Sequence, residues 1–349
     1  MDEAGVETPA SDHLARRLRK HDLLAARLSA MKDDHLAALL AEAPAWRNHI
    51  HGNQSAVVEV DDSKVFVKQV ALTDLERDPS NEGSTANLFG LPTFYQYGVG
   101  SAGFGAWREL QAYLRAGRWV QNGECPHFPL LHHWRVMPRS GRPSLSAEQY
   151  TWLEQAPDYW NGSDAVRVRL GAIAGASATI VLFLEHAPET LDAWLTRQLT
   201  DQHMDATAAA TALRLHAQLH EAAAFMNARG MLHFDLHGHN VLTDGERAYV
   251  ADFGLALCAD FDLSADERAF FENHRLYDRC FVTWDFIERL TKKARPSGLP
   301  PLLRTLIERS APVAGIFRDF FEKLSKESKT APYPAAALEA AFAAQSAAR

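Results

Sequence analysis

Two short motifs, separated by a predicted hairpin, constrain the fold of this chain more than any other feature. The first is His-Phe-Asp-Leu-His-Gly-His-Asn at 233–240, and the second is Asp-Phe-Gly at 252–254. Between them, two apolar runs flank Asp244-Gly245, a dipeptide typical of a two-residue hairpin turn. An Ala-rich helical pattern over 206–228, followed by a glycine stop signal, precedes the first motif. The chain is therefore expected to run here from a helix through a polar loop and a hairpin to Asp-Phe-Gly.

The residue types in these motifs fit phosphoryl transfer. Asp235 and Asn240 lie five residues apart, and Asp252 heads the second motif. In such an arrangement one carboxylate accepts or orients the proton of an attacking hydroxyl, while an amide oxygen and a second carboxylate hold Mg²⁺ on phosphates. The alternative is a buried polar loop in which all three are only turn residues. The order and spacing of the two motifs favour the catalytic interpretation.

The chain resembles the protein kinase-like superfamily over about residues 50–325. Asp-Leu-His-Gly-His-Asn at 235–240 is similar to the loop of aminoglycoside and related small-molecule phosphotransferases, whereas Ala-Asp-Phe-Gly-Leu-Ala at 251–256 is closer to protein kinases. The loop departs from common Ser/Thr kinases at His237, where a lysine usually stands. The resemblance implies a bilobal α+β fold, with ATP and Mg²⁺ as cofactors.

The same resemblance implies individual roles. Asp235 would be the catalytic base, Asn240 and Asp252 would be Mg²⁺ ligands, and His233 would support the loop. Asp278 would brace the catalytic loop, and the alternative for this residue is a simple helix N-cap.

A lysine and a glutamate upstream complete the predicted catalytic set. Lys68 ends the apolar run Val-Phe-Val-Lys, the position from which the superfamily's lysine reaches the α- and β-phosphates. An exposed lysine at a strand end is the alternative. Its expected partner is Glu109, on a helix predicted over 106–117, with a solvated helical glutamate as the alternative. Glu76 is the rival partner.

Nucleotide contacts are expected at two places. Gly52 is the glycine before the first hairpin, where the family has several glycines whose amides approach phosphate. By resemblance, Leu184 lines an adenine pocket, and the backbone from Glu185 to Ala187 supplies hydrogen bonds to adenine. A strand running into a helix is the plain structural interpretation of the same segment.

Two further patterns have less specific interpretations. Gly98, Gly100 and Gly103 match G-x-G-x-x-G but lack the preceding strand and following acid of a dinucleotide site, so they are interpreted as a flexible lead-in to the Glu109 helix. Closure over the nucleotide is the alternative role. The histidines of 233–239 resemble a zinc cluster, but no cysteine or carboxylate framework accompanies them.

The predicted organisation is α+β and bilobal. A helical extension covers 1–45. A β-rich N-lobe covers 46–186, with insertions at about 70–105 and 139–175, of which the second could be a loop. A helical C-lobe with the catalytic loop covers 187–349.

Composition limits the partners and the compartment. The net charge of −8 argues against binding to nucleic acid or an anionic membrane and fits a neutral or cationic acceptor. Three widely spaced cysteines cannot build a disulfide framework, and neither a signal peptide nor a membrane-spanning run is visible. A cytoplasmic protein is expected.

Three functions are consistent with this sequence. A protein kinase acting on Ser or Thr is favoured by the hinge-like segment and the Asp-Phe-Gly motif. The first alternative is a small-molecule kinase acting on a hydroxylated, cationic metabolite, favoured by the Asp-Leu-His loop. The second is a non-catalytic pseudokinase scaffold, suggested by the poor glycine loop.

Overall fold

A computed structural model describes residues 9–49, 53–139, 147–199 and 202–347. Gly52, one of the predicted nucleotide contacts, lies outside these ranges. The elements up to residue 185 are, in chain order, α1 (Pro9–Ala30), α2 (Asp33–Ala41), β1 (Arg47–Asn48), β2 (Gln54–Val60), β3 (Ser63–Leu72), α3 (Asp74–Arg77), α4 (Ala106–Gln121), β4 (Leu131–Pro138), α5 (Ala147–Tyr159), α6 (Asp164–Gly175) and β5 (Ala178–Glu185).

The remainder of the described chain is mostly helical. Its elements are β6 (Glu189–Thr190), α7 (Leu191–Gln198), α8 (Ala206–Ala228), β7 (Met231–Leu232), β8 (Val241–Thr243), β9 (Ala248–Val250), β10 (Leu257–Cys258), α9 (Ala265–Asn273), α10 (Tyr277–Lys293), α11 (Pro301–Lys326) and α12 (Ala335–Ala347). The protein is therefore α+β, with its larger sheet in the N-terminal part. No helix in the described ranges is both long and apolar enough to cross a bilayer.

The larger sheet is antiparallel, with the strand order β1-β2-β3-β5-β4. β3 pairs with β2 and β5, and Lys68 lies opposite Ser55 on one side and Leu182 on the other. The alternative of an exposed lysine at a strand end is wrong, because β3 continues to Leu72 and Lys68 is buried. A charged residue is tolerated inside this strand because its ammonium group is paired with carboxylates, as described below.

Helices α1 and α2 pack on the outer face of this sheet. Leu24 and Leu28 of α1 and Leu36 of α2 join the strand residues Val58 and Val67 in one apolar cluster. Within the predicted extension, the described residues form these two helices, and their leucines are the contact face.

The segment between β4 and β5 contains helices, whereas the sequence suggested that it could be a loop. The stretch that could be a loop insertion at 139–175 contains α5 and α6 instead. Trp160 and Leu170 from this stretch form a buried cluster with Tyr95 and Phe104. Burial of these large side chains favours helices over an exposed loop, because a helix satisfies its own backbone groups.

Candidate active site

Three charged residues from distant parts of the chain meet in the centre of the molecule. Lys68 Nζ lies 2.6 Å from Asp252 Oδ1 and 2.7 Å from Glu109 Oε1. Lys68 on β3 and Glu109 on α4 are only 6% and 3% exposed, whereas the Asp252 side chain keeps 41% exposure. Asp252 therefore remains accessible to a ligand from the adjoining cavity.

The rival glutamate lies elsewhere and has other partners. Glu76 Oε2 forms an ion pair of 2.7 Å with Arg169 Nη1, and Glu76 Oε1 accepts a hydrogen bond of 2.6 Å from the amide of Ala106 at the start of α4. Glu76 also forms a capping box with Thr73 at α3. It thus orients the helix that carries Glu109 and does not pair with Lys68.

The charges of this triad stabilise one another. Burial alone would lower the pKa of Lys68, but Asp252 and Glu109 raise it above its ordinary value. Burial would raise the pKa of Asp252, but the adjacent Lys68 lowers it to about 2. Burial, with a contribution from Asp252, raises the pKa of Glu109 despite Lys68. Lys68 and Asp252 are accordingly both ionised at neutral pH.

The loop after β7 places Asp235 and Asn240 together. Asn240 Nδ2 donates to Asp235 Oδ2 over 2.8 Å and to the Asp235 carbonyl over 3.0 Å. The Asn240 carbonyl accepts from the amide of Ala251 over 2.9 Å, which joins the loop to the end of β9. Because Nδ2 makes both bonds to Asp235, Oδ1 is the side-chain atom that Asn240 can offer to a cation.

His233 connects the two sequence motifs. Its Nε2 lies 3.0 Å from the Ala251 carbonyl, and its Nδ1 accepts from the Asp235 amide over 3.3 Å. These contacts require a neutral ring protonated on Nε2, in agreement with burial lowering the pKa of His233 to about 4. His233 is a positioning residue with no contact of its own to the cavity.

Asp278 braces the same loop from α10. Its Oδ2 accepts from the His233 amide over 2.7 Å, and its Oδ1 accepts from the Phe234 amide over 2.9 Å. Phe234 has a φ of +65°, a costly conformation for a bulky residue that these two bonds help to hold. The N-cap alternative for Asp278 is wrong, since Leu276 occupies that position.

Tyr113 and Arg17 contact residues of the site, but neither belongs to a motif that the sequence analysis identified. The Tyr113 hydroxyl accepts from the Asp252 amide over 3.0 Å. Arg17 of α1 binds the Glu185 carboxylate through Nε at 2.9 Å and Nη2 at 2.8 Å. The Glu185 side chain is therefore engaged with α1. The helical leucine pattern around Arg17 indicated a packed helix, and no signal in the sequence indicated which residue Arg17 would meet.

Two neighbouring cavities, which share some of their lining residues, adjoin these residues. The larger, of about 290 Å³, lies between the sheet and β8 and includes Leu184, Glu185 and Ala187, the predicted hinge. The smaller, of about 150 Å³, includes Asp235 and Glu109. The predicted hinge and the predicted catalytic residues thus line adjoining cavities.

The glycine segment after Tyr97 covers the smaller cavity. A Cβ atom at Gly98 would overlap Asp235 Oδ1, and one at Gly103 would overlap the Gly254 carbonyl. Gly103 also has a φ of +74°, which other residues rarely adopt. The Val99 carbonyl of this segment accepts from the Tyr159 hydroxyl over 2.7 Å. The interpretation as a flexible lead-in is therefore incomplete, because the segment packs directly on both motifs.

The histidine cluster does not form a metal centre in the described ranges. No three His, Cys, Asp or Glu side chains there are arranged to hold a metal ion. His237 Nε2 instead lies 3.6 Å from Asp235 Oδ1, and His239 Nδ1 lies 3.9 Å from Asp192 Oδ2. The carboxylate of Asp252 and the amide oxygen of Asn240 are hard donors of the type that Mg²⁺ takes while retaining several waters.

The structure thus brings together every predicted site residue in its described part, and only Gly52 cannot be placed. Comparison with known proteins adds no assignment, since no protein-family model and no curated protein matches the chain.

Proposed function

We propose that this protein is an ATP- and Mg²⁺-dependent phosphotransferase with a kinase-like fold. The observation that carries the proposal is the convergence of Lys68, Glu109 and Asp252 with Asp235 and Asn240 beside two adjoining cavities. A purely structural role would not require an aspartate and an asparagine on a loop that a buried histidine and a second aspartate hold in place.

The roles follow from charge and position. Lys68 offers a fixed positive charge to the α- and β-phosphates, and Glu109 holds it in place. Asp252 and the Oδ1 atom of Asn240 would hold Mg²⁺, which neutralises phosphate charge when bound. The adenine ring would lie beside Leu184, against the backbone of the hinge.

Asp235 completes the chemistry. The acceptor oxygen attacks the γ-phosphorus, and the bond from phosphorus to the β,γ-bridging oxygen breaks, so that ADP leaves. The acceptor proton passes to the Asp235 carboxylate, which is oriented by Asn240. The products are ADP and a phosphate ester of the acceptor.

A Ser or Thr hydroxyl of a protein is the acceptor that the Asp-Phe-Gly motif favours. A small hydroxylated molecule, neutral or cationic, is a second candidate, favoured by the contact between Gly98 and Asp235. That contact leaves little room for a polypeptide beside the carboxylate unless the glycine segment moves. The net charge of −8 supports neither nucleic acid nor an anionic membrane as a partner.

The test measures transfer from labelled ATP with Mg²⁺. The purified protein is incubated alone, with generic protein substrates and with a panel of hydroxylated metabolites, each in parallel with Asp235→Asn. We expect label on protein or on a metabolite with the native chain and a large loss in the variant. A native chain that binds ATP but transfers no phosphate to any of them would instead indicate the non-catalytic scaffold.

A further inference from the structure

The sequence between β1 and β2 has one glycine, Gly52, and it carries a histidine directly after β1. His49 follows β1, and its amide donates to the Asn53 carbonyl over 2.9 Å, so the two residues close the hairpin. The Asn53 side chain accepts from the Ala71 amide on β3 over 3.1 Å. The base of the hairpin is thereby attached to the strand that carries Lys68.

The His49 ring is positioned by Ser55, the residue beside Lys68 in the sheet. Its Nε2 lies 2.9 Å from Ser55 Oγ, and Ser55 is the direct cross-strand partner of Lys68. Cross-strand partners place their side chains on the same face of a sheet. When the Ser55 hydroxyl donates to Nε2, the neutral ring carries its proton on Nδ1, and this N–H group is left as a hydrogen-bond donor.

His49 also lies where the two cavities adjoin. Among the described residues, only His49, Lys68 and Asp252 line both the larger and the smaller cavity. A nucleotide with its base beside Leu184 and its γ-phosphate beside Asp235 must pass its phosphates between these three side chains. His49 is half-buried there and shares the lining of both cavities with Lys68 and Asp252.

The carboxylates around Lys68 leave a bound polyphosphate in need of another hydrogen-bond donor. Lys68 is shared between two carboxylates, those of Glu109 and Asp252, and Asp235 adds a third acid nearby. A polyphosphate entering this region needs hydrogen-bond donors that are not already neutralised. The sequence between β1 and β2 contains a single glycine, whereas a glycine-rich loop owes its close backbone amides to several.

We propose that His49 binds the polyphosphate of the nucleotide and supplies the contact that a glycine-rich loop would otherwise make. Ser55 is the positioning residue that holds its ring. This inference rests on the proposed function, because it takes ATP as the ligand, but it assigns a phosphate contact that the catalytic motifs do not contain.

The test compares affinities for adenosine and for ATP with Mg²⁺ by calorimetry. In His49→Ala, ATP affinity should fall by about tenfold or more while adenosine affinity stays within about twofold, since only the phosphates lose a donor. His49→Asn keeps a donor and should recover part of the loss. Ser55→Ala should weaken ATP binding less than His49→Ala does.

His186 provides a matched control. It is also a half-buried histidine, but it lines only the larger cavity, at the hinge. His186→Ala should change adenosine and ATP affinities by the same factor. Thermal melting of each variant checks that it is folded.

The outcomes separate this inference from the proposed function. If the native protein binds ATP and His49→Ala leaves the ratio of the ATP and adenosine affinities unchanged, the inference is wrong and the proposed function stands. A parallel loss of both affinities would also overturn it, because His49 would then support the hairpin alone. A native protein that binds no nucleotide overturns both.

Discussion

Gly98 lies so close to Asp235 that a methyl group on its Cα atom would overlap the carboxylate oxygen Oδ1. The residue that the sequence indicates as the catalytic base is therefore covered by backbone from a different segment. Only a glycine leaves Asp235 in its present position, and the space beside the carboxylate depends on the path of residues 98–105.

Gly98→Ala should reduce phosphoryl transfer strongly while leaving ATP binding nearly unchanged. The added methyl group displaces either the segment or the Asp235 carboxylate, and a displacement of about 1 Å at a reacting group can cost on the order of 100-fold in rate. Turnover and ATP affinity measure the two effects. Gly171→Ala, in α6 with no atom within 4 Å of the added Cβ, is the control and should be fully active.

Transfer should decline on the acid side of neutral pH. Burial, with a contribution from Asp252, raises the pKa of Asp235 to about 6, although His237 and Asn240 act in the opposite direction. The carboxylate accepts a proton only when ionised, so kcat/KM should be constant well above pH 6 and fall about tenfold per pH unit below it. A profile that is flat down to pH 5 would contradict the assignment of Asp235 as the base.

Asp235→Asn should retain nucleotide binding and lose about 10²- to 10⁴-fold in transfer, the range typical of a lost general base. The amide keeps the shape of the side chain and still offers an oxygen to Asn240. Single-turnover rates and calorimetry on the same preparation measure the two properties. Full activity would show that the carboxylate is not the proton acceptor.

Lys68→Met should abolish turnover and also destabilise the fold. Removing one partner of a buried ion pair costs about 3–5 kcal/mol, because the remaining charge is left unpaired. Glu109 is only 3% exposed, so it is the carboxylate left buried. Denaturant unfolding should show that Lys68→Met/Glu109→Gln recovers part of the stability, whereas turnover stays low in both variants. Normal turnover in Lys68→Met would make the lysine structural.

Asp252→Asn should remove most of the dependence of ATP affinity on Mg²⁺. The oxygen of the new side-chain amide still accepts from the Gly254 backbone amide, but the side chain no longer supplies an anionic ligand to the metal. Titrations with ATP are made with and without Mg²⁺, and adenosine reports the intact base pocket. An unchanged affinity for the Mg²⁺ complex of ATP would exclude Asp252 as a metal ligand.

Arg17→Met should loosen α1 from the hinge. Arg17 is 7% exposed and binds the Glu185 carboxylate together with the carbonyls of Pro126 and Phe128. We expect a loss of about 3 kcal/mol in stability and faster hydrogen exchange over α1. Arg27→Met on the same helix breaks only an exposed pair with Asp61 and should cost less than about 1 kcal/mol. Equal effects of the two variants would contradict the role of Arg17 in attaching α1 to this segment.

The loop that carries Asp235 and Asn240 is the part of the candidate site that local sequence could predict. Asp235 and Asn240 are five residues apart, and the loop and hairpin that hold them are contiguous in the chain. Turn residues, a glycine stop after α8 and the hairpin dipeptide act over a few residues, so their consequences can be inferred without a tertiary structure. The helical extension and most of the strands could be predicted for the same reason, from their apolar periodicity.

The partners of Lys68 and Glu185 were decided by tertiary packing. Glu76 and Glu109 were both available to Lys68, and Glu76 was excluded because Arg169, from a stretch that could have been a loop, pairs with it. Arg17 and Glu185 are 168 residues apart, and periodicity indicates only that α1 has an apolar face. Local sequence determined most of the elements, with α5 and α6 as exceptions that tertiary burial favoured. The rotation and burial of the elements against one another determined which charges meet, because a buried charge is stable only where packing supplies its partner.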